Sequence, residues 1–325
     1  MVTEEGSGSI LQAGQERHRY RIMNKLLKNK KHKPSGADKT FYVVNGIIMA
    51  AIFVIYAWPL WFVAISSFSD PNLVTAGKVF LWPKGFHTNG YKLILEYKDI
   101  LTGYANSILY TAVGTALNIV MTIFAAYPLS RMDFVPRKFF TVFFVFTMYF
   151  SGGLIPVFLQ IKALGLYNSP LAMIIPSAVS IYNVLILRSF FMYGVPRSLE
   201  EAAILDGANT FQMLVRVVLP LVKPTLAVLV LYYAVAHWND YFSALIYLKD
   251  KNLMPLQTAL RDILIVGKID MASSGMDMEA VTVKLKTAQT LKYSVIVVST
   301  LPLMLIYPFI QKHFVKGIMM GAVKG

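Results

Sequence analysis

The chain has 325 residues, of which 56% are hydrophobic, and a mean hydropathy of +0.55. Its apolar residues come in runs long enough to cross a bilayer, which excludes an ordinary soluble domain and predicts an all-α membrane protein. The net charge of +14 is typical of the Lys and Arg that orient membrane proteins and meet anionic lipid, so we do not take it as a sign of nucleic-acid binding.

Residues 1–40 form a basic tail in front of the first apolar run. The tail starts rich in Gly and Ser and then carries nine Lys and Arg. Two interpretations stay open: a cytoplasmic segment that only fixes topology, or an amphipathic basic helix that lies on the membrane surface. The apolar run that follows is too long for the core of a signal peptide, so we expect it to stay as a membrane anchor.

Six apolar runs predict six transmembrane helices. They cover residues of about 43–66, 104–128, 139–160, 170–192, 222–246 and 291–312. An even number of spans places both termini on one side, and the Lys and Arg of the tail and short loops predict that this side is the cytoplasm. Trp58-Pro59 predicts a kink in the first span, and Arg188 is expected to reach the membrane interface from the fourth.

This topology divides the chain into four parts. They are the tail 1–40, a first span and outer loop in 41–100, the remaining transmembrane domain in 101–312, and a cytoplasmic C-terminal tail in 313–325. The outer segments are then 67–103, 161–169 and 247–290, and a helix is expected around 255–265. Positive charges in the last outer segment either attract an acidic sugar or reflect scatter; they are Lys249, Lys251, Lys268, Lys284 and Lys286.

The third span contains residues that interrupt an apolar helix. They are Tyr149, Gly152 and Gly153, followed by Pro156. Backbone groups at such a break must be satisfied by protein or by a water-filled cavity. The break therefore indicates either a gate or cavity lining on a translocation pathway, or close helix packing through small residues.

The fifth span holds a polar cluster of Trp238, Asn239, Asp240 and Tyr241. An acid at membrane depth costs roughly 2.5–3.5 kcal/mol, so it should face a partner or a water-filled cavity. One interpretation is the wall of a translocation pathway, where the polar groups bind sugar hydroxyls and the indole stacks on a sugar ring. The other is a helix break near the outer membrane face, with Asp240 paired inside the bundle.

Signs of catalysis or metal binding are missing from the sequence. Gly77-Lys78 and Gly267-Lys268 lack the rest of a phosphate-binding loop, so the chain is not expected to hydrolyse ATP. The five His residues are scattered without a pair at i, i+4, so a metal site is not expected. The lack of cysteine excludes disulfides, thiolate nucleophiles and cysteine-ligated metals.

A polar segment, residues 196–220, separates the fourth and fifth spans. Ser198 with Glu201 predicts a capping box at the start of a short helix. Asp206 with Gly207 predicts the end of that helix, because glycine tolerates a left-handed backbone.

A second helix is predicted in the same segment. Asn209 with Gln212 forms another capping signature, and Pro220 is expected to end the helix. Two short helices at a membrane end, with small residues on one face and large ones on another, are typical of a docking surface for a soluble partner.

The spacing of this segment resembles the EAA loop of permease subunits of binding-protein-dependent ABC importers. The matching residues are Glu201, Ala202, Ala203, Gly207, Val217, Leu219 and Pro220, with valine at 217 where the family usually has isoleucine. Residues 149–156, 234–248, 254–260 and 316–325 are similar to the carbohydrate-importing, maltose-type branch, in particular to permeases for oligosaccharides released from polysaccharides.

The resemblance implies a type I ABC importer permease fold with a cytoplasmic coupling helix between spans four and five. It implies a heterodimer with a second homologous permease, two ATP-binding subunits that hold ATP and Mg²⁺, and an extracytoplasmic solute-binding protein that delivers an oligosaccharide. The chain itself would need no cofactor and would lie in the bacterial cytoplasmic (inner) membrane. The residues expected to couple ATP hydrolysis to transport are Glu200, Glu201, Ala202, Ala203, Asp206, Gly207, Ala208, Leu219 and Pro220.

Two other classes of function are weighed against this one. A secondary, ion-coupled transporter would need inverted repeats and buried acids, and Asp240 is the one candidate acid. A membrane-embedded enzyme would need a metal or carboxylate constellation at membrane depth, which the sequence does not offer.

Overall fold

The computed structural model describes residues 36–262, 288–308 and 311. Regular secondary structure in these residues is helical, as the sequence predicts. The helices are α1 (Gly36–Ser67), α2 (Pro71–Thr75), α3 (Asn89–Glu96), α4 (Lys98–Ser130), α5 (Arg137–Tyr149), α6 (Leu154–Ala163), α7 (Ile181–Tyr193), α8 (Arg197–Leu205), α9 (Thr210–Leu221), α10 (Lys223–Trp238), α11 (Phe242–Tyr247), α12 (Leu256–Arg261) and α13 (Ala288–Pro308). The predicted tails lie outside the described residues, apart from 36–40, which begin α1.

Three of these helices, α1, α4 and α13, are long and apolar enough to cross a membrane. Two bent pairs also qualify if each pair is one span: α5 with α6, bent by 113°, and α9 with α10, bent by 83°. The predicted fourth span, about 170–192, contains a separate 3₁₀ turn at Pro170–Met173 before the 13-residue α7. Length and composition thus support three to five spans in the described residues, and six stays a prediction.

The chain divides into two compact units after Leu60. The described residues of the first unit form most of α1, and its large apolar side chains, such as Phe53 and Tyr56, are exposed. Such a surface is expected on a helix that lipid surrounds. Pro59 lies inside α1, which continues to Ser67, so the predicted kink does not interrupt the helix.

The second unit is built around α4, with α7, α10 and α12 packed along it. Glycines permit close approach at two points of α4. A Cβ on Gly114 would lie 2.5 Å from Nε2 of His237, and a Cβ on Gly103 would lie 3.1 Å from the backbone of Leu256. The apolar core between α4, α7, α9 and α10 includes the buried Ala126, Leu129, Val184, Leu187, Phe191, Val218 and Leu229.

Polar side chains of α4 pair with the helices around it. Oδ1 of Asn118 lies 2.7 Å from Nε2 of His237, and the Asn118 amide donates to the carbonyl of Ser177. Thr122 and Tyr233 share a hydrogen bond of 2.7 Å between their hydroxyls. Buried polar groups are stable when they are paired, so these bonds fix the position of α10 along α4.

The two ends of α4 hold different parts of the chain. Near its N-terminal end, Nδ2 of Asn106 donates to the carbonyls of Asn252 and Met254. Beyond its C-terminal end, Arg131 forms an ion pair with Glu200 of α8. Because a helix rises about 1.5 Å per residue, these contacts lie about 37 Å apart along the axis, close to the thickness of a bilayer with its headgroups.

Candidate functional site

The EAA hairpin, α8 and α9 with the turn between them, begins without the capping box that the sequence predicts. The N-cap of α8 is Pro196, and Ser198 lies inside the first helical turn. A capping side chain must stand at the N-cap, where the backbone is not helical. The prediction of a Ser198–Glu201 box is therefore wrong, and the Glu201 side chain is exposed.

α8 ends at Leu205, directly before Asp206 and Gly207, as these two residues predict. The N–H of Gly207 donates to the carbonyl of Ile204, and the N–H of Ala208 donates to the carbonyl of Ala203, both at 3.0 Å. These two bonds define a Schellman turn. The φ of Gly207 is +79°, a left-handed value that glycine adopts without the strain of a Cβ.

The predicted capping box at the start of α9 is confirmed. Oδ1 of Asn209 accepts from the Gln212 N–H at 2.8 Å, and Oε1 of Gln212 accepts from the Asn209 N–H at 3.0 Å. The middle of α9, Met213–Val218, is π-helical. α9 ends at Leu221, one residue after Pro220, close to the end that Pro220 predicts, and α10 follows after a bend of 83°.

The EAA hairpin exposes an apolar surface, here called the coupling tip, of Ile204, Leu205 and Phe211. Leu205 is 88% exposed, and the other two side chains are also exposed. On the other side of the hairpin, Ala203 and Leu219 pack, partly buried, against the core. Of the remaining predicted coupling residues, Glu201, Ala202, Asp206, Gly207 and Pro220 are exposed, and Glu200 and Ala208 are half-buried.

An ion pair that holds α8 against α4 was not found from the sequence. Nη1 of Arg131 lies 2.5 Å from Oε2 of Glu200, and the two side chains are 19% and 18% exposed. The Arg131 guanidinium carbon lies 4.5 Å from the centroid of the Tyr127 ring. The ion-pair partners stand 69 residues apart, so a local motif could not reveal them.

A cavity of about 510 Å³ opens beside this ion pair. It lies between the C-terminal ends of α4 and α7 and the first two turns of α8. Its lining includes Arg131, Asp133, Phe191, Val195, Arg197, Glu200, Glu201 and Ile204. The cavity has charged side chains of both signs and apolar walls. Both glutamates of the hairpin, Glu200 and Glu201, line it.

Arg188 has a hydrogen-bond partner on the neighbouring helix α4. Its Nε donates to the carbonyl of Leu129 at 2.9 Å, in the last turn of α4. The last carbonyls of a helix lack partners within the helix and carry partial negative charge, which a cation stabilises. Arg188 therefore stabilises the C-terminal end of α4, and its position at the membrane interface stays a prediction.

Trp238 is a packing residue in this structure. Its Nε1 donates to the carbonyl of Ser299 at 3.0 Å, and its ring makes an edge-to-face contact with Tyr104, at 5.6 Å between centroids. The side chain is buried. Stacking on a sugar would require this arrangement to change.

The residues after Trp238 form a helix break. Nδ2 of Asn239 donates to the carbonyl of Val235, and Oδ1 of Asp240 accepts from the N–H of Ser243 at 3.1 Å. Asp240 thus makes a local bond to the first turn of α11, and both interpretations of this cluster stay open. Asn239 and Tyr241 are exposed, and their contact with a substrate stays a prediction.

The third span breaks where its glycine pair predicts. α5 ends at Tyr149, and the φ of Gly153, just before α6, is +85°. A Cβ on Gly153 would meet no described atom within 4 Å, so among the described residues the positive φ, and not a close contact, accounts for glycine at this position. A gate or cavity-lining role for Tyr149, Gly152 and Gly153 stays a prediction.

The fold and the EAA hairpin define a membrane permease of the ABC importer class. A family profile described as binding-protein-dependent transport system inner membrane component matches residues 100–320. The chain belongs to this family. It is a permease subunit with the type I fold, and it is not itself the ATPase of the transporter.

Two of the proteins similar to this chain are named for the transport of polysaccharides. It is 42% identical to the polygalacturonan/rhamnogalacturonan transport system permease protein YtcP of Bacillus subtilis (strain 168), over 82% of this chain and 92% of the relative. It is 36% identical to protein LplC of the same organism, over 89% and 96%. A crystal structure of a bacterial ABC transporter involved in the import of the acidic polysaccharide alginate matches with a TM-score of 0.76 and 32% identity, over 86% of this chain and 98% of that one.

These matches confirm three predictions from the sequence: membership in the ABC importer permeases, the all-α type I fold, and a transport role for sugars or oligosaccharides.

Proposed function

We propose that the chain is one half of a heterodimeric permease that imports acidic oligosaccharides, driven by ATP hydrolysis on partner subunits. Its partners are a second homologous permease, two ATP-binding subunits and an extracytoplasmic solute-binding protein. ATP and Mg²⁺ bind to the ATP-binding subunits, and this chain carries no cofactor. The observation that supports the proposal most is the exposed coupling tip, Ile204, Leu205 and Phe211, on the EAA hairpin.

The coupling tip has the properties of a docking surface. Three large apolar side chains are exposed on the two sides of the Schellman turn that ends α8. A cluster of exposed apolar side chains favours burial by a partner, and full burial of each stabilises a complex by roughly 1.5–3 kcal/mol. Exposed Glu201 next to the tip supplies a charge that orients the partner. We assign that partner as an ATP-binding subunit because the tip lies in the EAA motif.

The EAA hairpin lies in the cytoplasm, and both termini lie on the same side. Support comes from the basic residues close to the hairpin, which are Arg137, Lys138, Arg197 and Arg216, since short cytoplasmic loops are enriched in Lys and Arg. The opposite end of α4, with α11 and α12, then faces the solute-binding protein.

The substrate is an oligosaccharide released from an acidic polysaccharide. Support comes from the names of two similar proteins, one for polygalacturonan and rhamnogalacturonan and one for the acidic polysaccharide alginate. Both names denote polymers that contain uronic acids. Lys249 and Lys251 are exposed at the end of the molecule that would face such a ligand, and they would attract its carboxylates.

Uptake by the reconstituted complex in vesicles tests this function. We expect ATP-dependent, vanadate-sensitive uptake of a radiolabelled galacturonate oligomer in the presence of the solute-binding protein, and much weaker uptake of a neutral maltose oligomer. Collapsing ion gradients should leave the uptake intact. Uptake by this chain without ATP-binding subunits, driven by an ion gradient, would show a secondary transporter instead.

A further inference from the structure

The two adjacent glutamates of α8 stand in different surroundings. Glu201 is exposed, whereas Glu200 turns toward α4 and binds Arg131. One carboxylate is therefore free for a docking partner, and the other is already occupied within the chain.

Glu200 supplies the negative charge that neutralises the Arg131 guanidinium. One nitrogen, Nη1, forms the ion pair, and the guanidinium lies over the ring of Tyr127. The other two nitrogens, Nε and Nη2, are buried and have no hydrogen-bond partner among the described residues. Removal of one member of such a pair leaves an uncompensated charge, which destabilises far more than removal of both.

The Arg131–Glu200 pair joins the ends of two helices. Arg131 is the residue after α4, and its N–H donates to the carbonyl of Pro128. Glu200 lies in the first turn of α8. A cation at the end of one helix and an anion at the start of another both match the helix dipoles.

Few other contacts hold α8. Every one of its nine residues is at least partly exposed, with Ala203 the one that packs on the core. Among the described residues, the other salt bridge joins the sequence neighbours Arg261 and Asp262. Among the salt bridges between two described residues, the Arg131–Glu200 pair is the one that connects two helices.

We propose that the Arg131–Glu200 pair transmits movement of α8 to α4, while Glu201 meets the ATP-binding subunit. This inference rests on the proposed function. α4 is the helix along which α7, α10 and α12 pack, so a displacement at its end reaches the helices of the pathway. Arg131 and Glu200 are positioning residues, and Glu200 does not contact the ATPase.

Three variants in the reconstituted complex test the proposal: Arg131→Met, Glu200→Met and the double variant R131M/E200M. Each single variant should lower the Tm of the complex and reduce the sugar transported per ATP hydrolysed by on the order of tenfold, within the usual range for coupling between sites. The double variant should recover the wild-type Tm, because an ion pair that is largely shielded from water can be replaced by apolar side chains without loss. Its transport per ATP should stay low.

Glu201→Met is the matched control one residue away. It should lose the ATP-binding subunits during purification, whereas Glu200→Met should retain them. Recovery of wild-type transport per ATP by R131M/E200M would show that the pair only stabilises the fold, and would overturn the proposal. Loss of the ATP-binding subunits from Glu200→Met would overturn it as well.

The wild-type preparation separates this inference from the proposed function. If the wild-type complex neither hydrolyses ATP nor takes up a galacturonate oligomer, both ideas fall. If the wild-type complex hydrolyses ATP and takes up the oligomer, and the double variant transports normally, only the proposed role of the Arg131–Glu200 pair is wrong.

Discussion

At the scale of single residues, Gly114 determines how closely two helices of the bundle approach. The ring of His237 on α10 occupies the space that a side chain at this position of α4 would need. The same ring lies 2.7 Å from Oδ1 of Asn118, one turn further along α4. Gly114 therefore leaves room for the His237 ring because it has no side chain, and Asn118 forms a hydrogen bond with that ring.

Gly114→Ala should destabilise the complex. The added Cβ would stand 2.5 Å from His237 Nε2. Overpacking costs about 1–3 kcal/mol, and displacement of the ring also loses its hydrogen bond, worth about 1 kcal/mol. Together these exceed the gain of about 1 kcal/mol in helix propensity. Thermal unfolding of the purified complex, followed by tryptophan fluorescence, measures the change.

Gly46→Ala is the control for this substitution. Gly46 also lies inside a long helix, and a Cβ there would meet no described atom within 4 Å. It should leave the Tm unchanged or raise it. Equal loss of Tm in both variants would show that contact with His237 is not the cause.

Some residue roles could be predicted and others could not. Gly207 and Asn209 were recognised because turn and cap signals depend on a few neighbours in sequence. Ser198 shows the limit of this reasoning, since Pro196 takes the N-cap two residues earlier. The partners of Arg131 and Asn118 lie on other helices, and their positions follow only from the packed fold.

At the scale of elements, the EAA hairpin shows how local signals shape a functional segment. The capping box of Asn209 and Gln212 starts α9, and the Schellman turn at Gly207 ends α8. The hairpin thus presents its apolar tip in one defined direction, although α8 buries little surface of its own.

Asn209→Ala should weaken the start of α9, whereas Ser198→Ala should leave α8 unchanged. Loss of an N-cap side chain costs about 0.5–2 kcal/mol, and Asn209 caps its helix while Ser198 does not. Hydrogen exchange of the amides in each first turn measures the difference. We expect faster exchange at 211–213 in the first variant. Faster exchange at 199–201 in the second would contradict the assignment of Pro196 as N-cap.

Gly207→Pro should uncouple the transporter while the spans stay inserted. Proline cannot adopt the φ of +79° found at this position, because its ring holds φ near −65°, and it would also lose the N–H that binds Ile204. ATPase activity stimulated by the binding protein, measured alongside uptake, reports the effect.

Gly165→Pro is the matched control on a second Schellman turn, outside the EAA hairpin. Gly165 has a φ of +71°, and the N–H groups of Gly165 and Leu166 bind the carbonyls of Lys162 and Ile161 at the end of α6. Both variants should lower stability by similar amounts, but only Gly207→Pro should release the ATP-binding subunits. Retention of coupled transport in Gly207→Pro would contradict a docking role for the hairpin.

Interrupted spans were the hardest elements to predict. Each of the six apolar runs overlaps a described helix, yet the third bends by 113° around Gly153 and the fourth begins with a separate turn. Hydropathy reports where apolar residues lie along the chain. It does not report the direction of the backbone, which depends on positive φ angles and on contacts between helices.

At the scale of the whole molecule, α4 separates two sets of contacts by about 37 Å of helix. One end meets the EAA hairpin through Arg131, and the other meets the segment around Asn252. A permease that responds to ATP hydrolysis on one side of a membrane and to a loaded binding protein on the other needs such a connection. The family match covers residues 100–320, which include both of these contacts.

The position of the coupling tip against an ATP-binding subunit is the central claim, and a single cysteine at Leu205 measures it. Because the chain has no native cysteine, L205C can be labelled alone, with V135C as a control in the exposed segment after α4. We predict that an impermeant maleimide reaches both sites only from the cytoplasmic side. ATP-binding subunits should protect L205C but not V135C, and a crosslinker at L205C should capture them. Labelling of L205C from outside, or a tip that assembly never protects, would contradict the account.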